Sequence, residues 1–87
     1  MDLQNLQTVK MEIKVLGTGC AKCKALDKVT RKAIEELGLN ASVEKVEDIM
    51  KIMEYAVMRT PALVINEEVI LSGQVPKLKA MKEILTK

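Results

Sequence analysis

Two cysteines, Cys20 and Cys23, stand three positions apart in the segment Gly17-Thr18-Gly19-Cys20-Ala21-Lys22-Cys23. The run before it, residues 11–16, has the pattern of a β-strand, and residues 21–37 after it have the apolar spacing of a helix. The cysteines are therefore predicted to lie at a helix N-terminus, where unpaired N–H groups and the helix dipole stabilise a thiolate. We expect the pKa of Cys20 to fall below that of a free thiol.

The spacing of the two cysteines also suits a reversible disulfide. Residues three apart on a helix have Cβ atoms roughly 5–6 Å apart, and a modest tightening brings two thiols to bonding distance. The pair can then cycle between a disulfide and two thiols, exchanging two electrons each time. Lys22 and Lys24 add positive charge that we expect to favour the thiolate of Cys20.

The composition of the chain limits the classes of function that it can have. Its 87 residues suffice for one compact domain, and a net charge of +2 with both signs interspersed is not typical of nucleic-acid binding. No apolar run is long enough to span a membrane. Residues 1–10 have neither the basic nor the apolar stretch of a signal peptide, so we expect none there. With only two cysteines and no histidine, disulfide scaffolds, Cys–His catalysis and Cys₂His₂ zinc sites are excluded, and we expect a cytoplasmic location.

The chain divides into a loose, polar leader at residues 1–10 and a single predicted domain at residues 11–87. A helix that follows the first strand and leads to a second implies a right-handed crossover between parallel strands. A later hairpin adds antiparallel strands, so we expect an α/β fold with a four-stranded mixed sheet and helices on both faces. The predicted elements follow the order βαβαββα: strands 11–16, 41–46, 61–65 and 69–71, and helices 21–37, 49–57 and 76 onward.

Three local patterns define the helix ends. Gly38 is expected to end the first helix in the left-handed conformation, and Asp48 to cap the second. Pro76 suits the first turn of the last helix. Apolar residues at helical spacing predict the buried side chains of the second and last helices, namely Ile49, Ile52, Met53, Ala56 and Val57, and then Leu78, Met81, Ile84 and Leu85. The charges of strand 41–46 are typical of a sheet edge.

From residue 11 onward, the sequence resembles the thioredoxin superfamily, and most of all the small thioredoxin-like and glutaredoxin-like redox-active disulfide proteins. The resemblance depends on three motifs: Gly-Thr-Gly-Cys20-Ala-Lys-Cys23 at the strand–helix junction, Arg59-Thr60-Pro61-Ala62 before the third strand, and Gly73 after the hairpin. A lone Cys-x-x-Cys is a weak signal, but its place in a βαβ unit with a later Thr-Pro is far more specific.

The resemblance implies a thioredoxin-like fold and a thiol–disulfide oxidoreductase that needs no cofactor and holds no metal. Cys20 is then the nucleophile that attacks a disulfide of a partner protein, Cys23 resolves the mixed disulfide, and Lys22 tunes the thiolate. Pro61 is implied to be a cis proline beside the dithiol, and the backbone of Thr60 to pair with an extended substrate segment. We expect the protein to act as a monomer.

The chain departs from the superfamily pattern in three ways. No aromatic residue flanks the cysteines, and the buried acid that deprotonates the second cysteine of typical thioredoxins has no clear counterpart. The Gly-Gly-x-Asp segment that helps glutaredoxins to hold glutathione is replaced by Ser72-Gly73-Gln74-Val75. We therefore expect the electron donor to be a thioredoxin-reductase-like enzyme and not glutathione.

A soft-metal carrier is the alternative interpretation of the same cysteines. Small copper and zinc carriers also place a Cys-x-x-Cys motif after a first strand, and two thiolates suit Cu(I). Such carriers continue with two consecutive strands after the first helix, whereas residues 49–57 here have helical spacing. The Thr60-Pro61 step has no role in such a domain.

Overall fold

The computed structural model describes residues 11–57 and 59–86, so the predicted leader at residues 1–10 lies outside the described part. These described residues form four strands and three helices in the predicted order βαβαββα. The strands are β1 (Met11–Leu16), β2 (Ala41–Val46), β3 (Ala62–Ile65) and β4 (Glu68–Ser72). The helices are α1 (Ala21–Leu37), α2 (Ile49–Glu54) and α3 (Leu78–Leu85).

The strands form one mixed sheet in the order β2-β1-β3-β4. β1 and β2 run parallel, with Val15 beside Lys45 and Leu16 beside Val46. The pairs β1–β3 and β3–β4 are antiparallel. β2 is an edge strand, as its charged residues predict. Because β1 and β2 are parallel, their carboxyl ends meet at one edge of the sheet, where the cysteine segment begins.

The sheet separates two apolar clusters, so helices cover both of its faces. On one face, α1 and α3 supply Leu26, Ala33, Met81 and Leu85, which pack against side chains from β1 and β3. On the other face, a smaller cluster is closed by Ile52 of α2. Ala62, Leu63 and Val64 are fully buried, because the central strand β3 is covered on both faces.

Helix α1 ends as the sequence predicts. Gly38 adopts a φ of 66°, which glycine tolerates without a Cβ penalty. The N–H of Leu39 then donates to the carbonyl of Ile34 at 3.2 Å, which satisfies one of the last carbonyls of the helix. Thr30 is buried on the apolar face of α1, and its hydroxyl donates to the Leu26 carbonyl at 2.7 Å.

The prediction for helix 49–57 is wrong in its length and in its buried face. Asp48 does cap α2, since its carboxylate accepts from the Met50 N–H at 2.9 Å. The helix nevertheless ends at Glu54, and Ala56 turns into the left-handed region with a φ of 58°. Ile49 and Met53 are 56% and 65% exposed, because the small cluster on this face accommodates only Ile52 among the α2 side chains.

The last helix also begins later than predicted. Its N-cap is Lys77, which makes no side-chain capping hydrogen bond, so Pro76 lies before the helix and not in its first turn. Met81 and Leu85 are buried as predicted, while Leu78 and Ile84 are half-buried.

Candidate active site

Cys20 is the N-cap residue of α1. Its backbone is extended, with φ −71° and ψ 169°, and its Sγ accepts a hydrogen bond from the Cys23 N–H at 3.2 Å. A sulfur here takes the place of the side-chain oxygen that usually caps a helix. The first-turn N–H groups that α1 cannot pair internally therefore point toward a nucleophilic atom.

The two sulfurs lie in different environments. Cys20 is exposed, whereas Cys23 is only 5% exposed, and both are free thiols. Hydrogen bonds from the Cys23 side chain, and then from the Cys23 N–H, lower the pKa of Cys20. Burial raises the pKa of Cys23, and its hydrogen bond to Cys20 raises it further. At neutral pH, Cys20 is thus the thiol that ionises more readily.

Lys22 contributes to this shift through its backbone. After the two hydrogen bonds from Cys23, the Lys22 N–H is among the groups that lower the pKa of Cys20. This contribution comes from the position of residue 22 in the first turn of α1. It does not depend on the ammonium group that the sequence pattern singled out.

Gly17 makes room for the second sulfur. A Cβ at this position would overlap Cys23 Sγ and would lie 3.0 Å from Cys23 Cβ and 3.9 Å from Pro61 Cα. Gly17 is not in the left-handed φ region, so close approach and not backbone conformation requires a glycine here. Pro61 and Cys23 thus both lie next to Gly17, just after the end of β1.

The Thr60–Pro61 peptide bond is cis, as the resemblance implies. Pro61 is buried and Thr60 is exposed. The Pro61 carbonyl accepts from the Gly73 N–H at 2.7 Å, and a Cβ at Gly73 would lie 3.1 Å from the Arg59 side chain. The three sequence motifs behind the resemblance therefore come together at one edge of the sheet.

A small pocket adjoins the buried cysteine on the β2 side. Its volume is about 30 Å³, enough for one or two water molecules. Glu47, in the loop after β2, brings its carboxylate to this pocket, with Oε2 3.6 Å from where a Cβ of Gly19 would lie. The pocket is lined by Val15, Gly17, Gly19, Cys23, Lys24, Lys45 and Glu47.

Sequence reasoning did not single out Gly17 or Glu47 individually. The signal for Glu47 was nevertheless present, since it directly follows a strand that is parallel to β1, and parallel strands end at the same edge. Gly17 belongs to the quoted cysteine motif, but its contact with Cys23 is a tertiary feature that spacing alone does not reveal.

Two further findings concern metals and membranes. Within residues 11–57 and 59–86, no three His, Cys, Asp or Glu side chains are grouped so as to hold a metal ion. None of the helices in these same ranges is long and apolar enough to cross a membrane.

Comparison with known proteins supports the assignment that the geometry suggests. The family model described as thioredoxin domain matches residues 11–86. The thioredoxin of Methanothermobacter thermautotrophicus is 37% identical over 76 residues, which cover 87% of this chain and 99% of that protein. The thioredoxin of Methanocaldococcus jannaschii is 36% identical over 77 residues, covering 88% of each chain.

Among solved structures, the germline-specific thioredoxin Deadhead of Drosophila melanogaster superposes with a TM-score of 0.64, at 14% identity. The superposition covers 97% of this chain and 85% of that one, and at this identity it shows the shared fold. The family match, the two archaeal relatives and the Cys20–Cys23 pair at the start of α1 lead to one conclusion. The chain belongs to the thioredoxin family and is a thiol–disulfide oxidoreductase.

Proposed function

We propose that the protein reduces disulfides of partner proteins, with Cys20 as the nucleophile and Cys23 as the resolving thiol. The Cys20 thiolate attacks one sulfur of the partner disulfide, and the electron pair of the broken S–S bond leaves on the other sulfur, which takes up a proton. Cys23 then loses its proton and attacks Cys20 Sγ. The second partner thiol is released, and Cys20 and Cys23 remain joined as a disulfide.

The observation that carries this proposal is the difference between the two sulfurs. The sulfur that a partner can reach is also the one whose pKa is lowered, and the buried sulfur has its pKa raised. Thiolates and not thiols attack disulfides. The order of attack follows from this, since Cys23 is shielded from a partner and lies within one helical turn of Cys20.

The segment before β3 supports a role in holding the partner. Thr60 is exposed next to the cis Pro61, and Pro61 and Cys23 lie around the same point beside Gly17. We propose that the backbone of Thr60 pairs with an extended segment of the partner, in the manner of an added strand. Both thiols come from one chain, so a monomer is sufficient for this reaction.

Trapping the mixed disulfide tests the order of attack. Cys23→Ser should accumulate a stable covalent adduct with a disulfide-bonded protein such as insulin, because the resolving thiol is absent. Cys20→Ser is the matched control and should form little adduct, since the remaining thiol is buried. Equal trapping by the two variants, or more by Cys20→Ser, would refute the assignment.

A second experiment tests the electron donor. We propose that a thioredoxin-reductase-like enzyme reduces the Cys20–Cys23 disulfide in the cytoplasm, because the glutathione-holding segment of glutaredoxins is absent from residues 72–75. Turnover of insulin should be supported by NADPH with an archaeal or bacterial thioredoxin reductase. Efficient turnover with glutathione and glutathione reductase alone would contradict this proposal.

A further inference from the structure

The residue two positions before the cis proline has a side chain that packs against the end of β4. Arg59 is exposed, and its aliphatic stem lies across Gly73, where an added Cβ would be 3.1 Å from both Cβ and Cδ of Arg59. Gly73 is in turn tied to the cis proline, because its N–H donates to the Pro61 carbonyl at 2.7 Å. The stem of Arg59 thus runs from the segment before β3 to the loop after β4, next to Thr60.

Arg59 lies at the same edge of the sheet as the dithiol. Leu16, the last residue of β1, is paired with Ala62, and Ala62 is paired with Ser72, the last residue of β4. The segment that contains Arg59 therefore enters the sheet between the cysteine segment, which follows β1, and the loop that follows β4. A partner whose disulfide is attacked by Cys20 approaches this edge.

The segments on the β3–β4 side of this edge carry positive charge and no negative charge. Arg59 and Lys77 are both exposed, and Lys77 is the N-cap of α3. Residues 59–65 and 69–82 contain no aspartate or glutamate. The acidic hairpin turn does not change this, since Glu68 lies at the opposite end of β4. A partner segment that enters on this side therefore meets cations.

The Arg59 guanidinium can accept a carboxylate from outside the chain. None of the ion pairs in the described part of the chain involves Arg59. A guanidinium presents N–H donors in a planar fork whose geometry matches a carboxylate. On the β2 side of the edge, by contrast, Glu47 shares its pocket with Lys24 and Lys45, so charges of both signs are already together there.

We propose that Arg59 selects partners that carry an acidic residue in the segment that pairs with Thr60. The guanidinium forms an ion pair with the carboxylate of that residue while Cys20 attacks the partner disulfide. A basic residue at the same place is disfavoured, because Arg59 and Lys77 repel it. This inference rests on the proposed function and names the class of substrate for the same site, namely disulfides within acidic segments.

Three peptides that differ only in charge test the selection. Each carries a single cysteine as a mixed disulfide with neutral thiopyridine, flanked by glutamates, glutamines or lysines. Attack by Cys20 on the peptide sulfur releases the coloured thiopyridone, which is the better leaving group. Each second-order rate constant is divided by that of 2-mercaptoethanol with the same peptide, which removes differences in the reactivity of the peptides themselves. Wild type should favour the glutamate peptide over the glutamine peptide by about two- to fivefold, as an exposed ion pair allows, and should react most slowly with the lysine peptide.

Variants of Arg59 should change the ratio of the glutamate rate to the glutamine rate. Arg59→Gln should lower this ratio, Arg59→Glu should invert it, and Arg59→Lys should restore part of it because the charge is kept. A change in Cys20 reactivity would alter both rates equally and so would not alter the ratio. Lys28→Glu is the matched control, since it changes the net charge as Arg59→Glu does but lies in the groove between α1 and β2. High salt, which shortens the Debye length to about 3 Å, should bring the wild-type ratio toward one.

The selection by Arg59 and the proposed function can fail separately. A wild-type ratio near one, a ratio that Arg59→Gln does not lower, or an equal effect of Lys28→Glu would overturn the selection, since an exposed cation that is merely solvated gives these results. Thiopyridone release at normal rates in such a case would leave the order of attack intact. Release that continues undiminished in Cys20→Ser would instead refute Cys20 as the nucleophile, and with it the proposed function.

Discussion

Replacing Gly17 with alanine tests how closely the Cys23 sulfur packs against the end of β1. The added methyl would overlap Cys23 Sγ and lie 3.0 Å from its Cβ, so the Cys23 side chain must shift. Overpacking of this kind typically costs about 1–3 kcal/mol. For a domain of this size the melting temperature should then fall by roughly 4–24 °C, since each kcal/mol is worth 4–8 °C.

Gly38→Ala is a control with a similar cost and a different cause. A Cβ at Gly38 would meet no atom within 4 Å, but its φ of 66° penalises any side chain, by about 1–2 kcal/mol. Both variants should therefore have a lower melting temperature than the wild type in thermal denaturation of the reduced protein. Only Gly17→Ala should also slow attack by Cys23, because only that methyl displaces the sulfur.

A double-mutant cycle isolates the contact. In a Cys23→Ala background, Gly17→Ala should cost less than in the wild type, since the overlapped sulfur has been removed. We expect a coupling free energy of about 0.5–3 kcal/mol, the range found for residues in contact. Additivity of the two substitutions within about 0.5 kcal/mol would refute the steric argument.

Two further predictions follow from hydrogen bonds. The hydrogen bond from the Cys23 side chain is the largest cause of the lowered Cys20 pKa. Cys20 should therefore titrate at a higher pH in Cys23→Ala than in Cys23→Ser, whose hydroxyl can still donate a hydrogen bond. Equal Cys20 pKa values in the alkylation profiles of the two variants would contradict this. Glu67 accepts hydrogen bonds from Lys14 at 2.8 Å and Tyr55 at 2.9 Å, and these bonds lower its pKa in the folded protein. The free energy of unfolding of the wild type should therefore exceed that of Glu67→Gln by the full amount above the ordinary carboxyl pKa of about 4.3. This difference should disappear as the pH falls through the lower pKa of the folded state. Urea unfolding at several pH values measures this, and an advantage that persists or grows in acid would count against the cluster.

The local patterns of this chain carry most of its fold. Three predictions rest on patterns within a few adjacent residues, and the structure agrees with each of them. They are the charges of the edge strand β2, the cap at Gly38 and the strand–turn–helix pattern around Cys20. The cis Thr60–Pro61 bond followed from family resemblance, since an X–Pro step alone does not specify its isomer.

The length of α2 could not be predicted from periodicity. Residues 49–57 keep helical spacing, but the Tyr55 hydroxyl lies 2.9 Å from both Lys14 Nζ and Glu67 Oε1. These partners are distant in sequence, and the chain leaves the helix at Glu54 and turns at Ala56. Pro76 is also not the start of its helix: the preference of proline for the first helical position is a local tendency, and α3 begins after the Lys77 N-cap.

The candidate site shows the same division between local and tertiary information. Cys20 and Cys23 were evident from spacing. Their different burial follows from their positions, since Cys20 is the exposed N-cap of α1 and Cys23 lies in the first turn, where its side chain is buried. The contact of Gly17 with Cys23 and the approach of Glu47 to the same pocket join three segments of the chain. Such contacts appear only when the parallel ends of β1 and β2 are placed side by side.

The most direct test of the central claim is the pH dependence of alkylation in the reduced wild-type protein, with the modified cysteine identified by mass spectrometry. Limited iodoacetamide should modify Cys20 first, with a midpoint below the ~8.5 of a free thiol, while Cys23 reacts slowly until higher pH. Preferential modification of Cys23, or a Cys20 that titrates at the value of a free thiol, would contradict the account.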